Sequence, residues 1–178
     1  MQDLLPRPAN HKRGYNAAPS RRIQCKQSVS RNRTSRAREL GFEDVIDLTG
    51  EGLSDGVRRI TAGSGVDIVI ESIGGAVTSE ALSSLGLGGV LITLGYSAGR
   101  KTTIDVTDLI WKRARMAGFS LFAQSPDTIA TAWRDIIPWI VSGAVKPIVE
   151  RVYPLAEAGE ALRHLIEDRP FGKVVLAM

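Results

Sequence analysis

Cysteine is nearly absent: Cys25 stands alone in 178 residues. A single thiol excludes an internal disulfide framework and any Cys-based structural zinc site. This scarcity points to the reducing cytoplasm as the compartment. Aromatic residues make up only 6% of the chain, and there are two histidines, His11 and His164. No apolar run approaches the roughly 20 residues that cross a bilayer as a helix, so no membrane-spanning protein is expected. Acidic residues are missing from one long stretch, with none between Asp3 and Glu39. Residues 1–38 carry ten Lys and Arg against Asp3, whereas residues 39–178 carry thirteen basic and eighteen acidic residues. The formal net charge of +4 therefore describes a basic head on a mildly acidic body. Nucleic-acid-binding proteins more often spread positive charge over a folded face, so nucleic acid is not expected as the main partner.

Residues 1–25 show neither helical nor strand periodicity and contain Pro6, Pro8 and Pro19. Such a stretch buries too little apolar surface to offset its ordering entropy. Residues 1–27 are accordingly read as a basic, disordered or non-native leader, and residues 28–178 as the folded domain. Two functional readings of the leader stand beside this one. It is Arg-rich like an organellar transit peptide but lacks an amphipathic face, and as a basic arm it would touch RNA or DNA.

From about residue 28 the pattern becomes ordered. Asp44–Leu48, Val66–Glu71 and Gly89–Gly95 read as apolar strands, as do segments around Ile148–Val152 and Lys173–Leu176. Between them lie helical stretches: Ser54–Ala62 with Ser54 as N-cap and Gly63 as stop, a helix from Gly74-Gly75 through Leu85, Ser125–Val141, and Ala156–Ile166. Strands alternating with helices in this way predict βαβ units, hence an α/β fold with a doubly wound parallel sheet covered on both faces. Lys101–Asp105 alternates polar and apolar residues and predicts an exposed edge strand open to pairing with another chain.

In such sheets ligands bind beyond the carboxyl ends of the strands. There the chain places Glu71-Ser72-Ile73-Gly74-Gly75 after one strand and Gly95-Tyr96-Ser97-Ala98-Gly99 after another. An early strand is expected to end in Ser30-Arg31-Asn32-Arg33, followed by a helix over Thr34–Leu40. Hydroxyl and guanidinium groups at that place can clamp a phosphate. In dinucleotide folds an acid there binds the ribose 2′-hydroxyl, whereas Arg accommodates a 2′-phosphate. Two arginines and no acid favour NADP(H) over NAD(H), unless these arginines merely extend the basic leader. His11 and His164 read as solvated residues, and Glu71 as a capping or turn residue. Trp111, Trp133 and Trp139 read as core or interface groups. No nucleophile with a matched base is present, so no catalytic side chain and no metal ligand is assigned.

The run Arg36-Ala37-Arg38-Glu39-Leu40-Gly41-Phe42-Glu43-Asp44-Val45-Ile46-Asp47 resembles the medium-chain dehydrogenase/reductase superfamily. So do Gly63–Gly75, Leu85–Gly95 and the closing Gly172–Leu176, while Gly118-Phe119-Ser120-Leu121-Phe122 is similar to its NADPH:quinone oxidoreductase (zeta-crystallin-like) branch. The resemblance covers about residues 28–178. It implies that Ser30, Arg31 and Arg33 face the adenosine 2′-phosphate and that Ser72, Ile73 and Gly74 line the adenine–ribose side. Leu94, Gly95, Tyr96 and Ser97 would approach the nicotinamide ribose and pyrophosphate. Phe119, Ser120 and Leu121 would meet the nicotinamide ring. It further implies a homodimer through 101–105.

Two departures stand out. Leu48 occupies a place where relatives often carry Tyr or His, which weakens the adenosine contact. No G-x-G-x-x-G precedes residue 30, so the expectation is a Rossmann-like domain without its first strand–glycine turn–helix unit and without a substrate-shaping domain. The function expected is NADPH-dependent hydride transfer to a quinone or enone once a catalytic domain is supplied, the isolated chain being inactive or weakly active. The alternatives are a non-enzymatic interaction module with a basic nucleic-acid-binding arm and a relative of the zinc-type alcohol dehydrogenases.

Overall fold

The computed structural model describes residues 24–26 and 31–178. The first strand, β1 (Gln24–Lys26), pairs in parallel with β2 (Val45–Asp47), Gln24 opposite Val45 and Lys26 opposite Asp47. The sheet thus begins inside the segment read as leader. Between the two strands runs α1 (Arg31–Glu39). This helix starts three residues before the Thr34 expected from sequence, because Arg sustains a helix nearly as well as Ala does. Thr34 and Ala37, three apart on one face, are its buried contacts. Arg31 and Arg33 consequently open a helix instead of ending a strand, and Ser30 lies outside the described residues.

After β2 the chain turns on Asp47, whose Oδ1 accepts from the Thr49 amide at 3.0 Å and the Thr49 hydroxyl at 2.7 Å. The next helix, α2 (Leu53–Ile60), is not capped by Ser54. Its N-cap is Gly52, and the orphan amide of Leu53 donates to Glu80 Oε2 at 2.6 Å. That acceptor comes from α3 (Ala76–Ser83), so tertiary packing supplies what the local sequence was expected to supply. Gly63 does stop α2, with φ +87° and its amide on Arg58 O at 2.8 Å.

A three-stranded ladder follows: β3 (Val66–Glu71), β4 (Leu85–Thr93) and β5 (Arg115–Gly118), in that order and all parallel. The strand expected from Gly89 begins four residues earlier, at Leu85. Between β4 and β5 lies α4 (Val106–Lys112), opened by Asp105, whose side chain accepts from the Thr107 amide at 2.9 Å. Neither β5 nor α4 was expected. The edge strand expected at Lys101–Asp105 is not formed in this chain. Among the described residues that segment has no ladder partner, and Asp105 serves the helix instead. The chain continues through a 16-residue helix, α5 (Pro126–Val141), capped by Ser125, which accepts from the Thr128 amide at 3.1 Å. It closes with β6 (Val149–Pro154), α6 (Ala158–Glu167) and β7 (Lys173–Ala177), the two strands again parallel.

Among the described residues every strand pair is parallel, as expected for α/β winding. The strands form three ladders instead of one continuous sheet, since no described strand lies hydrogen-bonded between β1 and β3 or joins β6–β7 to the rest. One core unites the first two ladders: Ile46 of β2, Leu53 and Val57 of α2, Ala81 and Leu82 of α3, with Leu85 and Leu91 of β4. Side chains alternate across a strand, so Val69 packs toward this core while Ile68 and Ile70 face the other way, 63% and 69% exposed. The β3 surface is therefore covered on one face, not on both. The three tryptophans are no part of the core, each being more than half exposed.

Candidate functional site

The ladder register sets the carboxyl ends of three strands at one level. Glu71 stands opposite Thr93, and Thr93 opposite Gly118. Beyond that row the chain leaves each strand, and hydrogen bonds tie the departing segments together. The Leu94 amide donates to Glu71 O at 2.8 Å, and the Phe119 amide donates to Thr93 O at 2.9 Å. Further out the Ala98 amide reaches Ile73 O at 2.7 Å, and the Gly75 amide reaches Gly99 O at 2.9 Å.

Two glycines make this convergence possible. A Cβ on Gly95 would overlap Ser72 O and sit 2.7 Å from the Ser72 carbonyl carbon. A Cβ on Gly74 would overlap Gly99 O and lie 2.7 Å from Tyr96 Cα, and Gly74 also holds φ +79°. The loops after β3 and β4 are stacked backbone on backbone, an approach that only missing Cβ atoms permit.

Beneath the loops lies Glu71, 4% exposed. Its Oε1 accepts from the amides of Ile73 and Gly74, the latter at 2.7 Å. Its Oε2 accepts from the hydroxyls of Thr78 at 3.0 Å and Thr93 at 3.1 Å. Burial pushes this carboxyl up, but the two amides and two hydroxyls together hold it below its ordinary range. The expected turn-capping role is what the structure shows, and it extends further than the sequence suggested, since Thr78 and Thr93 were not singled out. An acid closing an apolar strand before Gly-Gly was the available signal.

A second carboxylate is held low at the opposite end of this ladder. Asp108 binds the Lys112 ammonium at 2.8 Å and the Ser83 hydroxyl at 2.6 Å, which outweigh its partial burial. A group whose folded-state pKa is depressed stabilises the fold above its unfolded pKa, and that stabilisation is lost as pH falls through the folded value. Thermal melts should therefore be flat from neutrality down to about pH 5 and fall progressively below it. Substituting Glu71 by Gln should flatten part of that acid limb.

The structure brings most of the expected ligand-facing residues into this one cluster. Ser72, Leu94, Tyr96, Ser97, Phe119, Ser120 and Leu121 are exposed around it, with Ile73, Gly74 and Gly95 beneath. Ser120 precedes a single 3-10 turn over Leu121–Ala123, and its carbonyl accepts from Gln124 Nε2 at 2.9 Å. Arg31 and Arg33 stand on α1, which packs on β2 apart from the β3–β4–β5 row.

Two cavities lie elsewhere. One of about 120 Å³ is bounded by Ser54, Arg58, Gly65, Ser83 and Lys112. The other, about 290 Å³, lies between β6 and α6 and is lined by Arg151, Tyr153, Glu160 and His164 among others. His164 is not a freely solvated side chain. Its Nδ1 lies 2.7 Å from Asp168 Oδ2, and its Nε2 is buried without a partner. Among the described residues no three of His, Cys, Asp and Glu are gathered to hold a metal ion. No helix among them is long and apolar enough to cross a membrane.

Parallel strands joined through helices, with glycine-lined loops meeting at their carboxyl ends, define the nucleotide-binding class of Rossmann-like α/β domains. Residues 40–176 match the family described as zinc-binding dehydrogenase, and the chain belongs to that family, within the medium-chain dehydrogenase/reductases. It is 26% identical over 142 residues to a quinone oxidoreductase-like protein 2 homolog of Nematostella vectensis, covering 78% of this chain and 39% of that protein. A solved NAD-dependent alcohol dehydrogenase is 27% identical with a TM-score of 0.67, covering 84% of this chain and 42% of that one. The quinone oxidoreductase of Pseudomonas syringae pv. Tomato DC3000 shares the fold, with a TM-score of 0.71 at 22% identity over 88% of this chain and 48% of its own. The chain thus spans less than half the length of these relatives and corresponds to their cofactor-binding part. Membership in a dehydrogenase/reductase family implies a nicotinamide cofactor. The exposed side chains of Ser72, Tyr96, Ser97, Phe119 and Ser120 at the carboxyl ends of the strands, where ligands bind in such sheets, fit such a group. The donor set for a zinc ion is not found among the described residues, so no step is derived through a metal.

Proposed function

We propose that residues 28–178, together with β1, form the NADPH-binding part of a quinone reductase-type oxidoreductase. When bound, the nicotinamide supplies hydride to a quinone or enone; the chain supplies orientation and a shaped surface. The observation that carries this reading is the convergence of Ser72–Gly74, Leu94–Ser97 and Phe119 around one hydrogen-bonded row. In this reading Ser72, Ile73 and Gly74 line the adenine–ribose side, and Leu94, Gly95, Tyr96 and Ser97 approach the nicotinamide ribose and pyrophosphate. Phe119, Ser120 and Leu121 meet the ring. Ser30, Arg31 and Arg33 hold the 2′-phosphate, and residues 1–27, β1 apart, are read as a basic leader. The likeness to quinone oxidoreductase-like proteins supports the substrate class. We read the protein as a cytoplasmic homodimer, with 101–105 gaining its ladder partner from a second copy. No side chain of this chain is assigned as acid, base or nucleophile.

A fluorescence titration of the full chain with NADPH and NADH tests the cofactor preference. Hydrogen bonds to charged groups contribute about 1.5–3 kcal/mol, so replacing both arginines (Arg31→Ala with Arg33→Ala) should weaken NADPH binding by at least about tenfold. NADH binding should be unchanged. Equal affinity of the wild type for both cofactors would overturn the NADPH preference.

A further inference from the structure

Glu71 is the only charged side chain in the core among the described residues, and hydride transfer gives it no role. An ionised carboxylate offers about four acceptor sites, and here four donors fill them: the amides of Ile73 and Gly74, and the hydroxyls of Thr78 and Thr93. Nothing is left over for a proton relay, a metal or a substrate hydroxyl. The four donors belong to three different elements. Ile73 and Gly74 lie in the loop after β3, Thr78 on the first turn of α3, and Thr93 at the last position of β4.

The connections do not stop at the carboxylate. Glu71 O accepts from the Leu94 amide at 2.8 Å, and the carbonyl of Thr93 accepts from Phe119 at 2.9 Å. Ile73 O in turn takes the Ala98 amide at 2.7 Å and the Ser97 hydroxyl at 3.4 Å. The loops after β3, β4 and β5 thus each meet Glu71, or Thr93 bonded to it, at their first residue: Ser72 follows Glu71 in the chain, and the Leu94 and Phe119 amides donate to Glu71 O and Thr93 O. One of the residues so held, Gly74, has a φ of +79°. Glycines lose the most conformational freedom on ordering, so a fixed acceptor for the Gly74 amide restricts the loop where it is freest.

We propose that Glu71 is a positioning residue that locks the loops after β3, β4 and β5 into one rigid platform for the cofactor. This role rests on the cofactor reading above. Charge-assisted hydrogen bonds are roughly twice as strong as neutral ones, which explains why a carboxylate is used at a site where a neutral acceptor would fit. Gln in its place can still accept from the two amides on one atom and offer its amide hydrogens to the two hydroxyls, preserving shape while weakening the lock. Thr93→Val severs only the link to β4 and leaves the Ile73, Gly74 and Thr78 bonds in place. It supplies a second variant if Glu71→Gln fails to fold.

The experiment measures native-state hydrogen exchange and NADPH affinity on the full 178-residue chain, for the wild type, Glu71→Gln and Thr93→Val. The lock predicts that both variants lose protection at Leu94 and Phe119 by about tenfold or more relative to the core amide of Val57. It also predicts that NADPH binds at least about tenfold more weakly. A purely structural role would lower protection at all amides together, Val57 included, and overturns the proposal. Loss of protection confined to Ile73 and Gly74 makes Glu71 a local turn cap and overturns it as well. Unchanged NADPH affinity in a variant whose loops have loosened overturns the positioning role. A wild type that binds neither NADPH nor NADH overturns the cofactor reading, and the role built on it; the exchange data separate that failure from failure of the lock.

Discussion

Leu82→Ala is expected to lower the stability of this domain by about 2–5 kcal/mol. Against the roughly 5–15 kcal/mol that holds an ordinary domain folded, that is a large fraction of the total. Leu82 is fully buried on α3, where it joins Ile46, Leu53, Val57, Leu85 and Leu91 in the core. An eight-residue helix cannot hold itself in water, so α3 exists because this face is buried. The cavity left by three missing carbons cannot close without moving α2 or β4. Urea denaturation should show the midpoint falling with an unchanged slope. Leu87→Ala is the control: Leu87 is 74% exposed on β4, and its truncation should stay within about 0.5 kcal/mol. Equal effects at both positions would show that the core has been misassigned.

The second large effect is expected at Gly95. Its substitution by Ala places a methyl group against the backbone of Ser72, 2.7 Å from its carbonyl carbon and 3.0 Å from its Cα. Backbone cannot turn aside as a side chain can, so the carboxyl ends of β3 and β4 must separate. Overpacking of this kind costs about 1–3 kcal/mol. On the proposed reading, displacing the loops should weaken NADPH binding by about tenfold or more, about 1.4 kcal/mol being a factor of ten. Gly63→Ala separates space from strain: Gly63 has φ +87° but nothing within 4 Å. It should cost about 1 kcal/mol and leave NADPH affinity untouched. Gly95→Ala with wild-type affinity would remove the loops after β3 and β4 from the binding surface.

Much of the architecture could be read from local pattern. Val66–Glu71 is a run of strand length rich in β-branched residues (Val66, Ile68, Val69, Ile70) and forms a strand with those same bounds. The helix expected over Ser125–Val141 forms as α5 with Ser125 as its cap and Pro126 in its first turn, both local devices. Gly63 marked the end of α2 for the same reason. The cap of α2 was misread because its acceptor, Glu80, lies 27 residues away from Leu53. β5 escaped notice because Arg115-Met116-Ala117-Gly118 has little strand character of its own. It is a strand because β4 offers it an edge.

The candidate site divides along the same line. Its glycines, its strand ends and the acid at residue 71 were legible, since each announces itself within a few residues. Their convergence was not. That Glu71 meets Thr93 across 22 residues, and that Phe119 hangs from Thr93, are facts of register between strands. So is the break of the strands into three ladders, which alternation of helix and strand could not foretell. Periodicity and turn chemistry are properties of neighbours in the chain, and they were enough to specify parallel α/β winding. Which faces are covered, which edges are paired and which carboxylate is buried depend on contacts between distant segments, and only the folded molecule brings those together.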